Sequence, residues 1–240
     1  MEALDIGSFR NIVVLTGAGI SVASGIRPFR GPDGLWNDET LVRLSCRSTL
    51  ESDPAAVWRF WAASRRICGE AKPNAAHEAL AAFEASLGPG RSFTLITQNV
   101  DGLHVRAGSR NVIEYHGAVR RSRCMNESCP SGPFTDPYIG DELPRCPRCG
   151  SPLRPDIVLF EEMIPPEADL AARRALGECD LFVAIGSSGT VYPAAGWVQW
   201  VESLGGETVY LNLEANSGNH FKRSILGRAE ETVPRLFAPR

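Results

Sequence analysis

An α/β fold, a doubly wound parallel sheet carrying two insertions, is the architecture that these 240 residues predict. Three observations predict it. Short apolar, β-branched runs recur along the chain and end in glycine or polar turns. Segments of helical period lie between them, the alternation that sets strands parallel and places helices on both faces. Two stretches break the alternation: residues 37–73, rich in Trp, Ala and Arg, and residues 122–153, which hold four cysteines. The predicted organisation is therefore a main domain of 1–36, 74–121 and 154–240, a helical insertion and a small cysteine module.

Ile12-Val13-Val14-Leu15 is the first buried strand, and Thr16-Gly17-Ala18-Gly19-Ile20-Ser21 follows it at once. Glycines there let backbone N–H groups approach a pyrophosphate. The full G-x-G-x-x-G fingerprint is absent, because Val22 holds the third glycine position. Asp53-Pro54 reads as a helix start, and Val57, Trp58, Phe60, Trp61 and Ile67 give that helix an apolar face. A second helix is expected from Asn74 to Ala85. Phe93-Thr94-Leu95-Ile96-Thr97 is the next strand, and it delivers the polar cluster Gln98-Asn99-Val100-Asp101-Gly102-Leu103-His104 to its C-terminal end. Ligands of open parallel sheets bind at that end. Asn111 to Tyr115 reads as a short strand leading to His116-Gly117. After the cysteines, Ile157 to Phe160 resumes the apolar pattern. Asp180 to Ile185 is a late strand running into Gly186-Ser187-Ser188-Gly189, and Thr208 to Glu214 is the last. Helices are expected at about 166–177 and 193–204.

Four residues separate Cys124 from Cys129, sixteen separate Cys129 from Cys146, and two separate Cys146 from Cys149. Thiolates so spaced close tetrahedrally around one Zn²⁺ and leave no open position, which marks a structural metal. Paired disulfides are the alternative. Cys46, Cys68 and Cys179 remain as isolated thiols, a usage that suits a reducing compartment.

Composition narrows the function classes. A net charge of −3 gives no general attraction to nucleic acid or anionic lipid. No apolar stretch approaches the ~20 residues of a membrane span. The opening Met1-Glu2-Ala3-Leu4-Asp5 has no basic start and no apolar h-region, so a cytoplasmic enzyme is expected.

Gly17-Ala18-Gly19-Ile20-Ser21, Ser24-Gly25-Ile26 and Phe29-Arg30-Gly31 together resemble the sirtuin signature. Thr97 to His104, then His116-Gly117, then the four cysteines, continue it in the family's order. Gly186-Ser187-Ser188 with Val191 and Pro193, Asn212-Leu213-Glu214, and Gly227-Arg228-Ala229 match its later NAD-binding loops. The resemblance covers about residues 10–235. It implies a Rossmann-like domain, NAD as co-substrate, one structural Zn²⁺ and acyl-lysine proteins as substrates. It further implies that the acyl-lysine carbonyl oxygen attacks the nicotinamide ribose and expels nicotinamide. His116 then activates a ribose hydroxyl, which attacks the resulting imidate carbon. The products are lysine, nicotinamide and O-acyl-ADP-ribose.

On this resemblance Asn99 and Asp101 join His116 as the catalytic set, and Gln98 orients the ribose. Phe29, Arg30 and Trp36 form the cofactor loop, and Glu214 accepts from the adenosine ribose. A neutral imidazole at His116 suits removal of a ribose proton near pH 7. His104 is expected to cap or pack its loop, and His77 and His220 to be structural or surface residues. Trp61, Ser64, Val158, Phe160 and Glu162 are the expected substrate contacts.

The cofactor loop carries Arg27-Pro28 and later Asp33-Gly34-Leu35-Trp36, which resembles the bacterial class III branch that includes the mitochondrial desuccinylase type. That branch places Tyr and Arg where this chain has Trp61 and Ser64. Without the guanidinium, neutral acyl groups are expected over succinyl or malonyl. Glu161 stands where the family has glycine, restricting the backbone and bringing charge toward the peptide groove. Two other readings of the same motifs are an NAD-dependent ADP-ribosyltransferase or glycohydrolase, and a non-catalytic NAD sensor. A retained His116 and Asn99 favour the deacylase.

Overall fold

The computed structural model describes residues 4–29, 31, 34–187, 196–215 and 221–238. Arg30, Ser188, His220 and the Val191–Pro193 stretch, all singled out in the sequence, lie outside them.

Strand β1 (Asn11–Thr16) pairs in parallel with β2 (Ser92–Thr97) on one side and β7 (Leu181–Ile185) on the other. The six-stranded sheet continues to β3 (Val112–Glu114), β8 (Glu207–Asn212) and β9 (Arg223–Leu226), in the order β3-β2-β1-β7-β8-β9. Chain direction across the sheet reverses between β1 and β7. That is the Rossmann order, and its crevice opens at this switch point.

Side-chain alternation explains why both faces are covered. Ile12 and Val14 of β1, Phe93 and Leu95 of β2, and Val183 and Ile185 of β7 point to one face. There they meet α4 (Ala75–Ser86) and α8 (Ala229–Leu236). Val13, Leu15, Ile96, Phe182 and Ala184 point to the other, against α6 (Pro166–Gly177) and α7 (Trp197–Ser203). The expected helix at 193–204 is therefore described from Trp197 onward.

The first insertion is helical: α1 (Glu39–Arg43), α2 (Arg47–Ser52) and α3 (Pro54–Glu70). Asp53 caps α3 by accepting the Ala56 N–H at 2.9 Å, with Pro54 in the first turn. Its buried face holds Val57, Trp58, Trp61, Ala62, Arg65 and Cys68. Ile67, expected on that face, is 52% exposed, and Arg65 takes the inward position instead. The reason is electrostatic. Arg65 donates to Ser122 Oγ at 3.1 Å and to the Asp136 carbonyl at 2.6 Å, and pairs with the Asp136 carboxylate at 3.3 Å. These bonds dock α3 onto the cysteine module.

That module is a three-stranded antiparallel sheet in the order β5-β4-β6, formed by β4 (Gly117–Cys124), β5 (Phe134–Thr135) and β6 (Leu153–Ile157). The sheet starts before and ends after residues 122–153. Ile157 pairs with Gly117 in this sheet. The apolar run from Ile157 thus belongs to the module and the loop that follows, not to the main sheet.

Candidate active site at the sheet switch point

The turns after β1 and β7 interlock. Gly17 N donates to Ile185 O at 3.0 Å and Gly19 N to Gly186 O at 2.9 Å. A Cβ on Gly17 would lie 2.8 Å from Gly186 O, and one on Gly19 2.7 Å from Gly186 Cα. Gly186 itself sits at φ 59. Only glycine fits this cradle, in which Ala18 begins a 3₁₀ turn running to Ser24.

Around the cradle, a buried polar network ties three segments together. Asn99 donates from Nδ2 to Gly17 O at 3.1 Å and to Ser21 Oγ at 3.2 Å. Ser21 donates to Asp101 Oδ2 at 2.8 Å, and Asp101 Oδ1 accepts the Leu103 N–H at 2.9 Å. Burial raises the Asp101 carboxyl above the ordinary range, and these two bonds offset only part of that rise. His77, expected to be a structural or surface residue, is structural. It is not a bystander: its ring is fully buried, Nδ1 accepts the Asn74 N–H at 3.3 Å, and Nε2 faces Ser21 Oγ at 3.5 Å. The readable signal was Asn74-x-x-His77, a capping box on α4. His104 lies 4.7 Å from the His77 ring, with Nε2 2.9 Å from Thr16 Oγ1. It packs beneath the loop, as expected of it.

His116 leaves β3 and enters β4 at Gly117, whose φ is 81. Its Nδ1 donates to the Gln98 carbonyl at 3.0 Å. That bond places the proton on Nδ1 and leaves Nε2 as a bare lone pair. Burial lowers the pKa of the ring, so the neutral form persists through pH 7. Gln98 Oε1 accepts from Ser187 Oγ at 3.0 Å, which joins the β2 and β7 loops. At the far end of β8, Asn212 Nδ2 donates to Ser187 O at 3.1 Å, and Leu213 and Glu214 emerge into solvent. Gly227 N donates to Asn212 O at 2.9 Å, which brings Ala229 alongside that edge. Phe29 stacks on Trp36 at 4.8 Å, and Trp36 meets Phe160 edge-on at 5.3 Å.

The expected substrate contact Glu162 and its neighbour Glu161 are both engaged within the protein. Glu162 is consumed by a bidentate pair with Arg154, at 2.5 and 2.9 Å, and by the Leu159 N–H at 2.8 Å. It braces the segment from within, because Arg154 on β6 would otherwise be a buried unpaired charge. Glu161 adopts φ 71, the sole positive value at a non-glycine among the described residues. Its carboxylate turns away to accept from Ser48 N at 2.9 Å and Ser48 Oγ at 3.2 Å. Phe160 N donates to Ser45 O, and Arg47 N donates to Phe160 O. The segment is thereby stitched to the helical insertion, and the expected groove charge is spent on α2. Val158 N donates to His116 O at 3.0 Å, while Ser64 is half-buried and Trp61 buried on α3.

Cys124, Cys129, Cys146 and Cys149 converge with all four Sγ atoms within 4.8 Å of one another. The Cys124–Cys149 and Cys129–Cys146 separations are 3.5 and 3.8 Å. Tetrahedral Zn–S bonds of about 2.3 Å demand S···S distances of about 3.8 Å, so this donor set fits zinc.

A Rossmann crevice, a glycine cradle and a four-thiol clasp define a dinucleotide-binding α/β protein with a structural metal module. The Sir2 family model matches residues 17–193, and the chain belongs to that family. It is 41% identical over 232 residues to NAD-dependent protein deacylase 2 of Pyrobaculum aerophilum, covering 96% of this chain and 91% of that one. It is 44% identical over 230 residues to an NAD-dependent protein deacylase of Escherichia coli strain K12, covering 93% and 79%. A Sir2 homologue solved in complex with NAD superposes with a TM-score of 0.87 at 39% identity, over 97% of this chain and 90% of that one. A Sir2 structure with deacetylated p53 peptide and 3′-O-acetyl ADP-ribose superposes with a TM-score of 0.83 at 32% identity, over 96% and 93%.

Proposed function

We propose that this chain is an NAD-dependent protein-lysine deacylase that transfers the acyl group to ADP-ribose, releasing nicotinamide, and that prefers neutral acyl groups. One observation carries the reading. His116 is fixed as a neutral base by the carbonyl of Gln98, and Gln98 opens the turn that delivers Asn99 and Asp101 to the Gly17–Gly19 cradle. That geometry suits a ribose held by Gln98, Asn99 and Asp101 with one hydroxyl offered to His116 Nε2. The pyrophosphate would rest on the backbone of Gly17, Ala18, Gly19 and Ser21, and on the Gly186-Ser187-Ser188 turn. Asn212, Leu213, Glu214 and Ala229 would frame the adenosine. Phe29 and Trp36, with Arg30, would close over the reacting end and exclude water. Trp61, Ser64, Val158 and Phe160 would line the acyl-lysine path. The three-part domain division and a cytoplasmic location belong to the same proposal. Among the described residues no helix is long and apolar enough to cross a membrane.

The neutral-acyl preference rests on α3. Arg65 is committed to Asp136 and Ser122, and Arg66 donates to Ile139 O and Asp141. Neither offers a guanidinium to an acidic acyl chain. The test is mass spectrometry of reactions containing NAD and acetyl-lysine peptide. Free lysine appearing together with O-acetyl-ADP-ribose supports the reading. ADP-ribose on the protein, or free ADP-ribose without loss of acetyl, would replace it with transferase or glycohydrolase chemistry.

A further inference from the structure

His116 sits where two sheets meet. Tyr115 and His116 link Glu114, the last residue of β3 in the main sheet, to Gly117, the first of β4 in the cysteine module. One bond holds the turn from each side: His116 Nδ1 to the Gln98 carbonyl, and Val158 N to the His116 carbonyl. Gly117 presses the turn onto β6, since a Cβ there would lie 2.2 Å from Asp156 O. The placement of the imidazole therefore depends on how the two sheets are held against each other.

A bulge follows the turn at once. Ala118 pairs with Asp156 and Ser122 with Pro155, which are adjacent on β6, so Val119, Arg120 and Arg121 have no counterpart there. Each of the three is used. Val119 N donates to Val100 O at 2.8 Å, and Arg120 O accepts the Asp136 N–H at 3.1 Å. Arg121 reaches back across the turn. Its Nε donates to Asp156 Oδ2 at 2.9 Å, and its Nη1 donates to Glu114 Oε2. The guanidinium is 34% exposed, and the Glu114 and Asp156 side chains only 18% and 14%. Charge-assisted bonds that are partly shielded in this way fix geometry better than pairs in open solvent. The guanidinium thus joins β3 of one sheet to β6 of the other and closes a ring around His116. It makes no bond to the His116 ring, to the Gln98, Asn99 or Asp101 side chains, or to the glycine cradle.

We infer that Arg121 is a positioning residue for the base: by spanning Glu114 and Asp156 it holds His116 Nε2 in line with the ribose hydroxyl. The inference rests on the deacylase reading. It assigns Arg121 to the second half of the reaction, because nicotinamide leaves before His116 is needed.

The experiment follows two rates in zinc-loaded protein with NAD and acetyl-lysine peptide. One is deacetylation; the other is peptide-dependent exchange of labelled nicotinamide into NAD. Arg121→Met keeps the stem and removes the guanidinium. Arg121→Lys keeps a cation that reaches one carboxylate and cannot fork to both. Glu114→Gln keeps an acceptor and removes its charge. In Arg121→Met, kcat for deacetylation should fall about 10- to 100-fold, the scale of a misplaced catalytic group, while exchange and the KM for NAD stay close to wild type. Arg121→Lys and Glu114→Gln should fall between that variant and the wild type. A merely structural role lowers both rates together, so parallel loss in folded Arg121→Met overturns the inference, as does deacetylation at the wild-type rate. If Arg121→Met loses its zinc or its fold, Glu114→Gln decides by the same split. Wild-type deacetylation with no such split in the variants refutes the Arg121 inference alone. A wild type that turns over no acyl peptide refutes the deacylase reading, and the inference with it.

Discussion

Lowering the pH from 7 to 5 should load this fold through His77. The ring is fully buried, and burial pushes its pKa from 6.5 down to about 4. In the window from 6.5 to about 4 the unfolded chain binds a proton on this residue and the folded chain does not. Its stabilisation is therefore complete above the unfolded pKa and drains away as pH falls toward the folded one. With those two values, the part lost between pH 7 and 5 is about 2 kcal/mol. His104, held neutral by burial and by the adjacent His77, adds in the same direction. Asp101 works against them, because its raised pKa lets the folded state take a proton first. The isolating variant is His77→Gln, since glutamine can still close the capping box with Asn74. Urea unfolding at both pH values reads the effect. Wild type should lose about 2 kcal/mol more than the variant on acidification, roughly 0.7 M in midpoint for a slope near 3 kcal/mol/M. Contributions from other carboxylates cancel in the comparison. Equal losses in the two proteins would refute the assignment of a buried neutral His77.

Zinc analysis of purified protein should give one equivalent per chain, and Cys149→Ser should bring it close to zero while loosening the module and reducing activity indirectly. Full occupancy in that variant would exclude the four-thiol site. At position 161, alanine keeps the φ 71 backbone and loses the bonds to Ser48, whereas glycine loses only the bonds. Glu161→Ala should therefore be less stable than Glu161→Gly by about 1 kcal/mol in thermal unfolding, and identical melting would argue against backbone strain there. For acyl choice, kcat/KM on acetyl-lysine peptide should exceed that on succinyl-lysine peptide by about 10- to 150-fold, because Ser64 carries no charge and the two guanidiniums that follow it on α3, Arg65 and Arg66, are already bonded elsewhere. A succinyl value above the acetyl one would show that another cation serves the pocket.

Much of the fold was legible because its signals are local. The runs Ile12–Leu15 and Leu181–Ile185 are buried from end to end and Phe93–Thr97 at all but Thr94, and short apolar runs between turns have few other ways to fold. Asp53-Pro54 announced its helix by capping chemistry that depends on three or four neighbouring residues, and the helix from Asn74 showed in its apolar spacing. The cysteine spacing carried its own geometry. What sequence reading missed depends on distant partners. Arg65 points inward only because Asp136 and Ser122 wait on another element. His77 joins Ser21 across 56 positions of chain. Glu162 was expected at the substrate, and nothing nearby in sequence reveals that Arg154 claims it first. The charge of Glu161 was legible, and its direction was not, since Ser48 lies 113 positions away.

The central claim is that His116 acts as the base for acyl transfer after nicotinamide has left. Its Nδ1 bond to Gln98 O and its lowered pKa leave Nε2 free to accept a proton at neutral pH. The most direct measurement uses His116→Ala with NAD, acetyl-lysine peptide and isotopically labelled nicotinamide. The account predicts that the folded, zinc-loaded variant still exchanges labelled nicotinamide into NAD in a peptide-dependent way while forming no free lysine and no O-acetyl-ADP-ribose. Deacetylation by that variant at close to the wild-type rate would contradict it.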